Sequence, residues 1–241
     1  QVILGLKGRF EVLLVDDGSS DATAQVAKKH GCLVVRNKVN RGLGTGISKG
    51  YRLAVRGGYD IAITLDADGQ HDPKFLIPML EQLKRGADIV VASRYHPKSE
   101  RIGVPFDRDL LNISVTAQIR ALTGWKITDA LTGFWMMRRP CFRFALKHNR
   151  LKRYGSCLEQ LIKFWYLAKP RPKLVEIPHP AIYDNHGTLS LLTRTYSNSN
   201  REHRVERFGT HALHVVEVIA DVNKAGHADA VEREIKKRRR G

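Results

Sequence analysis

Short apolar runs alternate along the chain with segments in which apolar residues recur at helical spacing. The runs at 11–15, 32–35, 59–65 and 88–93 have the length of buried strands. The clearest helical segment between them contains Phe75, Leu76, Met79, Leu80 and Leu83. This order predicts an α/β fold, with a mostly parallel sheet and helices on both faces.

Local signals place some of the helix ends. Asp72 followed by Pro73 is typical of a helix start, and Gly31 is typical of a helix end. The stretch 37–50 is rich in glycine but follows neither the phosphate-loop nor the dinucleotide pattern. It is either a ligand-binding loop or a place where the backbone packs tightly against the sheet.

Polar side chains follow three of the predicted strands. Asp16 and Asp17 follow the first, Asp66 and Asp68 follow the third, and Arg94 follows the fourth. Ligands of open parallel sheets gather at the carboxyl ends of the strands. We therefore expect these side chains to belong to one functional site.

Asp66 and Asp68 form the centre of that expected site. Side chains two positions apart on an extended chain share a face, so the two carboxylates repel each other unless a cation lies between them. A hard divalent ion, Mg²⁺ or Mn²⁺, fits such oxygen ligands and is often shared with substrate phosphates. The alternative is a pair of loop acids that cap the next helix.

Composition narrows the class of partner. The 241 residues carry a net charge of +17, which favours a nucleotide, a phosphorylated lipid, an anionic membrane surface or a nucleic acid. Cys32, Cys141 and Cys157 are scattered and lack metal-site spacing, which is typical of reduced, intracellular packing residues. There is no signal peptide and no apolar run of transmembrane length, so we expect a cytoplasmic protein.

Several motifs, in this order, resemble those of family 2 glycosyltransferases with the GT-A (Rossmann-like) fold. They are Val15-Asp16-Asp17-Gly18-Ser19, Asn40-Arg41-Gly42-Leu43-Gly44-Thr45, Asp66-Ala67-Asp68-Gly69-Gln70-His71 and Ala92-Ser93-Arg94-Tyr95. Within that family the chain is most similar to the dolichyl-phosphate and polyprenyl-phosphate mannosyl- and glucosyltransferases. Their Asp-x-x-(Ser/Thr)-Gly-Phe motif resembles the stretch 129–134, and the similarity extends from about residue 11 to about 190.

The resemblance implies a site for a nucleotide sugar, GDP-mannose or UDP-glucose. Asp17, with Val15, would contact the nucleobase and ribose, and Arg94 would meet the phosphates. The resemblance also implies that the chain lacks part of this site. Nothing before Asp16 resembles the family's Pro-x-Tyr-Asn-Glu strand, so we expect the first strand and the edge of the base pocket to be missing.

The same resemblance implies how the diphosphate is held. Asp66, Ala67 and Asp68 would bind it through Mg²⁺ or Mn²⁺, with Gln70 as a further ligand on the metal side. The metal offsets the charge of the departing nucleoside diphosphate.

The family reaction is an inverting single displacement at the anomeric carbon. A polyprenyl-phosphate acceptor is already an anion and needs little or no general base. A hydroxyl acceptor needs a carboxylate to take its proton, for which Asp129 is the candidate; a helix cap or salt bridge is the alternative for this residue. Arg108 is the candidate contact of an acceptor phosphate, against the alternative of a surface salt bridge.

The end of the similarity departs from the lipid-phosphate branch. That branch carries an Arg and a Lys around a Gly-x-Ser-Lys segment, and the corresponding stretch 183–190 has neither. The departure favours a second hypothesis, in which the same donor chemistry acts on a soluble or hydroxyl acceptor.

The C-terminal part has a different composition. We expect a transferase domain over 1–193, a polar linker over 194–204, and an amphipathic helix with a basic tail over 205–241. The basic run 236–240 is either a solvated tail or an attachment to an anionic membrane, at the cytoplasmic face.

A third hypothesis for the function is a basic nucleotide- or nucleic-acid-binding protein with an inactive transferase fold. Nucleic acid is the least favoured partner, because interleaved aromatic and basic residues are missing.

Overall fold

The computed structural model describes residues 10–150, 155–183 and 218–222. Its strands are β1 (Leu13–Asp16), β2 (Leu33–Arg36), β3 (Ile61–Thr64), β4 (Ile89–Ser93), β5 (Arg101–Ile102), β6 (Trp135–Arg138), β7 (Leu174–Pro178) and β8 (Ala181–Ile182). Its helices are α1 (Thr23–Lys29), α2 (Leu43–Arg56), α3 (Leu76–Lys84), α4 (Phe106–Thr123), α5 (Arg139–His148) and α6 (Ser156–Leu167). A 3-10 turn at Pro73–Phe75 leads into α3.

The strands confirm the expected α/β class and correct the expected single sheet. Within the described residues, β1 pairs with β2, β5 pairs with β8, and the order β3-β6-β4-β7 forms the largest sheet. β4 and β7 run parallel, but β6 is antiparallel to both of its neighbours. β6 was not predicted from the sequence. Its residues Trp135–Arg138 directly follow the motif at 129–134, so they do not form a separate apolar run.

The direction of β6 determines what lies at the edge of the sheet. β3 and β4 run the same way, since both are antiparallel to β6. The chain therefore enters β6 at the edge where β3 and β4 end, and Trp135 lies opposite Thr64. We call this edge the rim; it consists of residues 65–72, 94–95 and 128–134.

The core lies on both faces of the four-stranded sheet. Every residue of β4 is buried, and its side chains alternate between two apolar clusters. Ile89 and Val91 belong to one cluster, and Val90 and Ala92 belong to the other. A strand buried on both faces needs apolar residues at every position, which explains the unbroken run in the sequence.

The expected helix start at Asp72 is confirmed. Asp72 begins the 3-10 turn, and its side chain accepts a hydrogen bond from the Lys74 backbone at 2.9 Å, as predicted for a cap. The linker, the basic tail and most of the predicted C-terminal helix lie outside the described residues. The short piece at 218–222 is helical, and Val218 and Val222 are buried in the core. No helix in the described ranges is long and apolar enough to cross a bilayer.

A buried lysine joins that C-terminal piece to the rest of the protein. Lys163 of α6 is 1% exposed, and its ammonium lies 2.7 Å from the Glu159 carboxylate. It also donates to the His148 carbonyl at 2.8 Å and pairs with Asp221. Glu159 is thus the buried ion-pair partner of Lys163.

Lys163→Met is expected to lower the free energy of unfolding by about 3–5 kcal/mol, because it leaves the buried Glu159 carboxylate without its cation. Urea denaturation followed by circular dichroism measures the loss. Lys29→Met, at an exposed position of α1, is the control and should change stability by less than about 1 kcal/mol. An equal effect of both variants would contradict the assignment.

Candidate functional site

The loop after β1 is held by two carboxylates. Asp16 is buried and lies 3.0 Å from Arg36, while Asp17 accepts from the Asn37 amide at 2.8 Å. Asp17 also accepts from the backbone N–H groups of Arg41 and Gly42, at 2.9 and 2.7 Å. Partial burial opposes the charge of Asp17, but these hydrogen bonds hold its pKa below the ordinary value.

Gly18 lets this loop approach the glycine-rich segment closely. Its φ is +86°, and a Cβ there would lie 3.0 Å from the backbone of both Val39 and Asn40. Any side chain would meet both a steric clash and a strained backbone. The close packing of the two loops therefore explains the glycine at position 18. Val15 lies near Gly46 of α2.

The acids after β3 lie on an open loop. Asp66 and Ala67 are exposed and Asp68 is half-buried, and the Asp68 carboxylate accepts from the Gln70 backbone at 3.0 Å. About half of the Asp66 side chain (48%) is open to solvent. Crowding by the surrounding protein still raises the pKa of Asp66, and the charge of Arg94 only partly offsets this effect.

The donor atoms in this loop fit a hard divalent ion. Two carboxylates lie two residues apart, and the buried Gln70 Nε2 lacks a hydrogen-bond partner within the described part of the chain. Turning that amide would present its carbonyl oxygen instead. Within the described residues no group of three or more His, Cys, Asp or Glu side chains forms a metal cage. A Mg²⁺-type site needs only one or two carboxylates when substrate phosphates complete the shell.

Arg94 and Asp129 form a buried bidentate pair at the rim. Arg94 Nε and a terminal guanidinium nitrogen lie 2.7 and 3.0 Å from the two Asp129 oxygens, and the Arg94 backbone N–H donates at 3.1 Å. Asn112 of α4 donates to the same carboxylate at 2.7 Å. The Asp129 side chain is fully buried, whereas 20% of the Arg94 side chain reaches solvent.

The charges of this pair stabilise each other. Burial alone would raise the pKa of Asp129, but the Arg94 charge and the hydrogen bonds outweigh it, so the pKa lies below 3.8. Burial also opposes the Arg94 charge, and Asp129 reverses that effect and raises the Arg94 pKa. Asp129 is therefore an ionised counter-ion with its oxygens engaged, a geometry that favours holding Arg94 over accepting a proton.

A second, partly buried carboxylate supports the loop before β6. Both oxygens of Glu176, on β7, accept from the Thr128 backbone N–H at 2.9 and 2.8 Å. Glu176 also accepts from the Thr128 hydroxyl at 2.7 Å and from the Asp129 backbone at 3.2 Å. These bonds fix the backbone that carries Asp129.

Arg108 lies away from the acids, on the first turn of α4. Its guanidinium donates to the Tyr183 hydroxyl at 2.9 Å and lies over the Tyr183 ring at 5.2 Å. Beside it is an open cleft of about 510 Å³, lined by Arg101, Gly103, Val104 and Asp109. Tyr95, next to Arg94, donates to Asp109 at 2.8 Å and so connects the cleft to the rim.

The structure brings only some of the predicted residues together. Asp66, Arg94 and Asp129 lie at the rim, where the charge of Arg94 lowers the pKa values of both carboxyl groups. Asp17 lies at the end of a different sheet, and α2 packs against both β1 and β3. The sequence analysis assigned no role to Asn112, Glu176, His71 or His179. Polar residues within apolar segments, such as Glu176 in Leu174–Pro178, were the available signal.

The comparisons with known proteins identify the class. Residues 2–144 match the model of "Glycosyl transferase family 2", which covers more than half of the chain. The chain therefore belongs to glycosyl transferase family 2 and is an enzyme of the hexosyltransferase type, as its motifs predicted.

Curated relatives are about 30% identical to the chain over the aligned residues. An uncharacterised protein of Methanocaldococcus jannaschii is 32% identical over 73% of this chain and 72% of its own. The undecaprenyl-phosphate mannosyltransferase of Micrococcus luteus is 30% identical over 70% of each. The polyprenol monophosphomannose synthase of Mycolicibacterium smegmatis is 32% identical over 70% of this chain and 66% of its own.

Solved structures confirm the GT-A fold. Glucosyl-3-phosphoglycerate synthase from Mycobacterium tuberculosis, in complex with Mn²⁺, UDP-glucose and phosphoglyceric acid, superposes with a TM-score of 0.59 at 17% identity. That match covers 88% of this chain and 68% of the solved one. A second structure of that enzyme gives a TM-score of 0.54 at 21% identity, and the chain spans 62% of its length.

Asp129→Asn is expected to destabilise the protein by about 3–5 kcal/mol at neutral pH, because Arg94 loses its buried counter-ion. The folded pKa of Asp129 is lowered, so this stabilisation is present above the unfolded value near 3.8. The difference from wild type should shrink as the pH falls through the folded pKa. Urea unfolding at pH 7, 5 and 3 measures it.

The control for this prediction is Asp60→Asn. Asp60 pairs with Arg139 at 3.0 Å, but its side chain is 91% exposed, so its loss should cost less than about 1 kcal/mol. A pH-independent deficit in Asp129→Asn would show that the carboxylate charge is not what stabilises the rim.

Proposed function

We propose that the chain transfers a hexose from a nucleoside diphosphate sugar to a polyprenyl phosphate. The observation that carries the proposal is the pair Asp66 and Asp68 beside the Arg94 guanidinium, at the rim of a family 2 transferase. Two relatives at 30–32% identity are an undecaprenyl-phosphate mannosyltransferase and a polyprenol monophosphomannose synthase, and their names support the acceptor class.

Each side chain has a separate task in this proposal. Asp66, Asp68 and the Gln70 amide would hold Mg²⁺ or Mn²⁺, which offsets negative charge on the departing diphosphate. Arg94 adds a positive charge that is fixed in direction by Asp129, so it need not reorganise during the reaction. The Val15 and Asp17 loop would border the nucleoside, with Ala67 against the diphosphate.

The proposed reaction is a single displacement with inversion. An oxygen of the acceptor phosphate forms a bond to the anomeric carbon while the bond from that carbon to the diphosphate oxygen breaks. The nucleoside diphosphate leaves with the electron pair. No proton has to be removed from a phosphate that is already ionised, which agrees with an Asp129 carboxylate engaged by Arg94 and Asn112.

The acceptor side is proposed to be the cleft near α4. Arg101 and Arg108 supply positive charge there, and Tyr95 connects the cleft to Arg94. A lipid acceptor would bring the enzyme to a membrane surface, and the basic run 236–240 would favour an anionic one.

Asp66→Ala and Asp68→Ala are each expected to abolish metal-dependent nucleotide binding. The loss should exceed the about 10- to 100-fold effect typical of residues that only support metal ligands. Titration calorimetry with GDP, UDP, GDP-mannose and UDP-glucose, each with Mn²⁺ or EDTA, measures it and identifies the donor. Asp60→Ala removes the same charge at the opposite end of β3 and is the control. Nucleotide binding that survives in both site variants would overturn the metal assignment.

Arg108→Ala is expected to raise KM for a polyprenyl phosphate by roughly tenfold or more, with little change in KM for the donor, because one charge-assisted contact is lost. Steady-state kinetics with each substrate varied in turn provides the measurement. Arg120→Ala, exposed on the same helix, should leave both constants unchanged. Equal effects on the two substrates would place Arg108 outside the acceptor site.

A further inference from the structure

Two histidine rings hold the loop that carries the acid pair. His71 Nδ1 accepts a hydrogen bond from the Asp66 backbone N–H at 2.8 Å. His179, at the end of β7, accepts from the Asp72 backbone N–H through Nε2 at a longer 3.4 Å. The loop from Asp66 to Asp72 is thus held near both of its ends by ring nitrogens.

Packing fixes the orientation of the His71 ring. The ring is 5% exposed, stacks on Phe134 with centroids 5.0 Å apart, and meets the edge of His179 at 5.9 Å. A histidine that accepts at Nδ1 carries its hydrogen on Nε2 and is neutral.

The hydrogen bond acts on the residue that the proposed donor site needs most. Asp66 is where β3 gives way to the loop, and its carboxylate lies 4.0 Å from His71 Nδ1. Gly133 lies beside them: a Cβ there would lie 3.6 Å from Asp66 Oδ2 and 3.8 Å from His71 Cε1. A shift of the Asp66 backbone would therefore move this carboxylate and, through the loop, Asp68.

We propose that His71 is a positioning residue, which accepts the Asp66 N–H and so fixes the direction in which Asp66 and Asp68 present their carboxylates to a metal–nucleotide complex. This inference rests on the proposed function. His71 itself touches no substrate in this scheme. The competing explanation is that the ring only fills space against Phe134.

Two substitutions separate the hydrogen bond from the packing. His71→Asn places an amide oxygen near the position of Nδ1 and keeps an acceptor, but it loses the stacking on Phe134. His71→Phe keeps a stacked ring and has no acceptor. A space-filling role predicts that Phe is the better replacement, whereas a positioning role predicts that Asn is.

The experiment measures three quantities on both variants and wild type. Amide hydrogen exchange reports the Asp66 N–H, electron paramagnetic resonance reports the Kd of Mn²⁺ in the presence of UDP or GDP, and thermal unfolding reports Tm. His71→Phe should show faster Asp66 exchange and a Mn²⁺ Kd raised about 10- to 100-fold, the range for residues that orient metal ligands. His71→Asn should stay within about threefold of wild type in both, even where its Tm is lower.

The positioning role would be contradicted if the Mn²⁺ Kd rose in proportion to the loss of Tm, so that His71→Asn was affected as much as His71→Phe or more. A wild-type Kd retained by His71→Phe would equally overturn the positioning role. If wild type binds no Mn²⁺–nucleotide complex, the proposed function fails by itself. Asp66 exchange then decides separately: protection lost only in His71→Phe supports the backbone contact, and equal protection in both variants removes it.

Discussion

The buried pair of Arg94 and Asp129 is the interaction on which the rest of the site depends. A fully buried carboxylate is tolerated only when it is ion-paired and hydrogen-bonded. Asp129 meets that requirement with the Arg94 guanidinium, the Asn112 amide and backbone donors. Asp129 also fixes the orientation of the Arg94 side chain. Arg94 directly follows β4, all of whose residues are buried. The pair thereby joins β4, α4 and the loop before β6 into one rigid edge.

Around this pair, partly buried carboxylates have a shared role, which is to fix the backbone of the loops. Asp17 accepts from two backbone N–H groups of the glycine-rich segment, and Glu176 accepts from Thr128 and Asp129. Asp66 and Asp68 differ because they lie on the open side of the loop, where crowding by the surrounding protein raises the pKa of Asp66 and the charge of Arg94 opposes this effect. The acidic side chains thus form two groups. One group fixes the backbone of the loops, and the other is available to a ligand.

Much of the fold could be predicted because the strands that lie in the core are unbroken apolar runs, as in Ile89–Ser93. Because those runs also mark where each strand ends, the positions of Asp66 and Arg94 at the ends of two strands could be predicted as well. The partner of Arg94 was less accessible, since Asp129 precedes a strand whose antiparallel pairing depends on contacts distant in sequence. Roles that rest on one hydrogen bond, such as the acceptor at His71 Nδ1, have no periodicity to reveal them. The Asp129 role as a proton acceptor stays a prediction, and its geometry favours the counter-ion.

The reversed direction of β6 has a consequence for how the chain acquires its native structure. The Thr64 hydroxyl donates to the Gly133 carbonyl across 69 positions of sequence, and every pair of the β3–β6 ladder is still farther apart along the chain. Long-range pairing forms late, because loop-closure entropy opposes it until the intervening segments have collapsed. We therefore expect α3 and α4 to form before the rim does. A partly folded chain would then have formed most of its helices but would not yet bind the nucleotide. Nucleotide binding would therefore report the last step of folding.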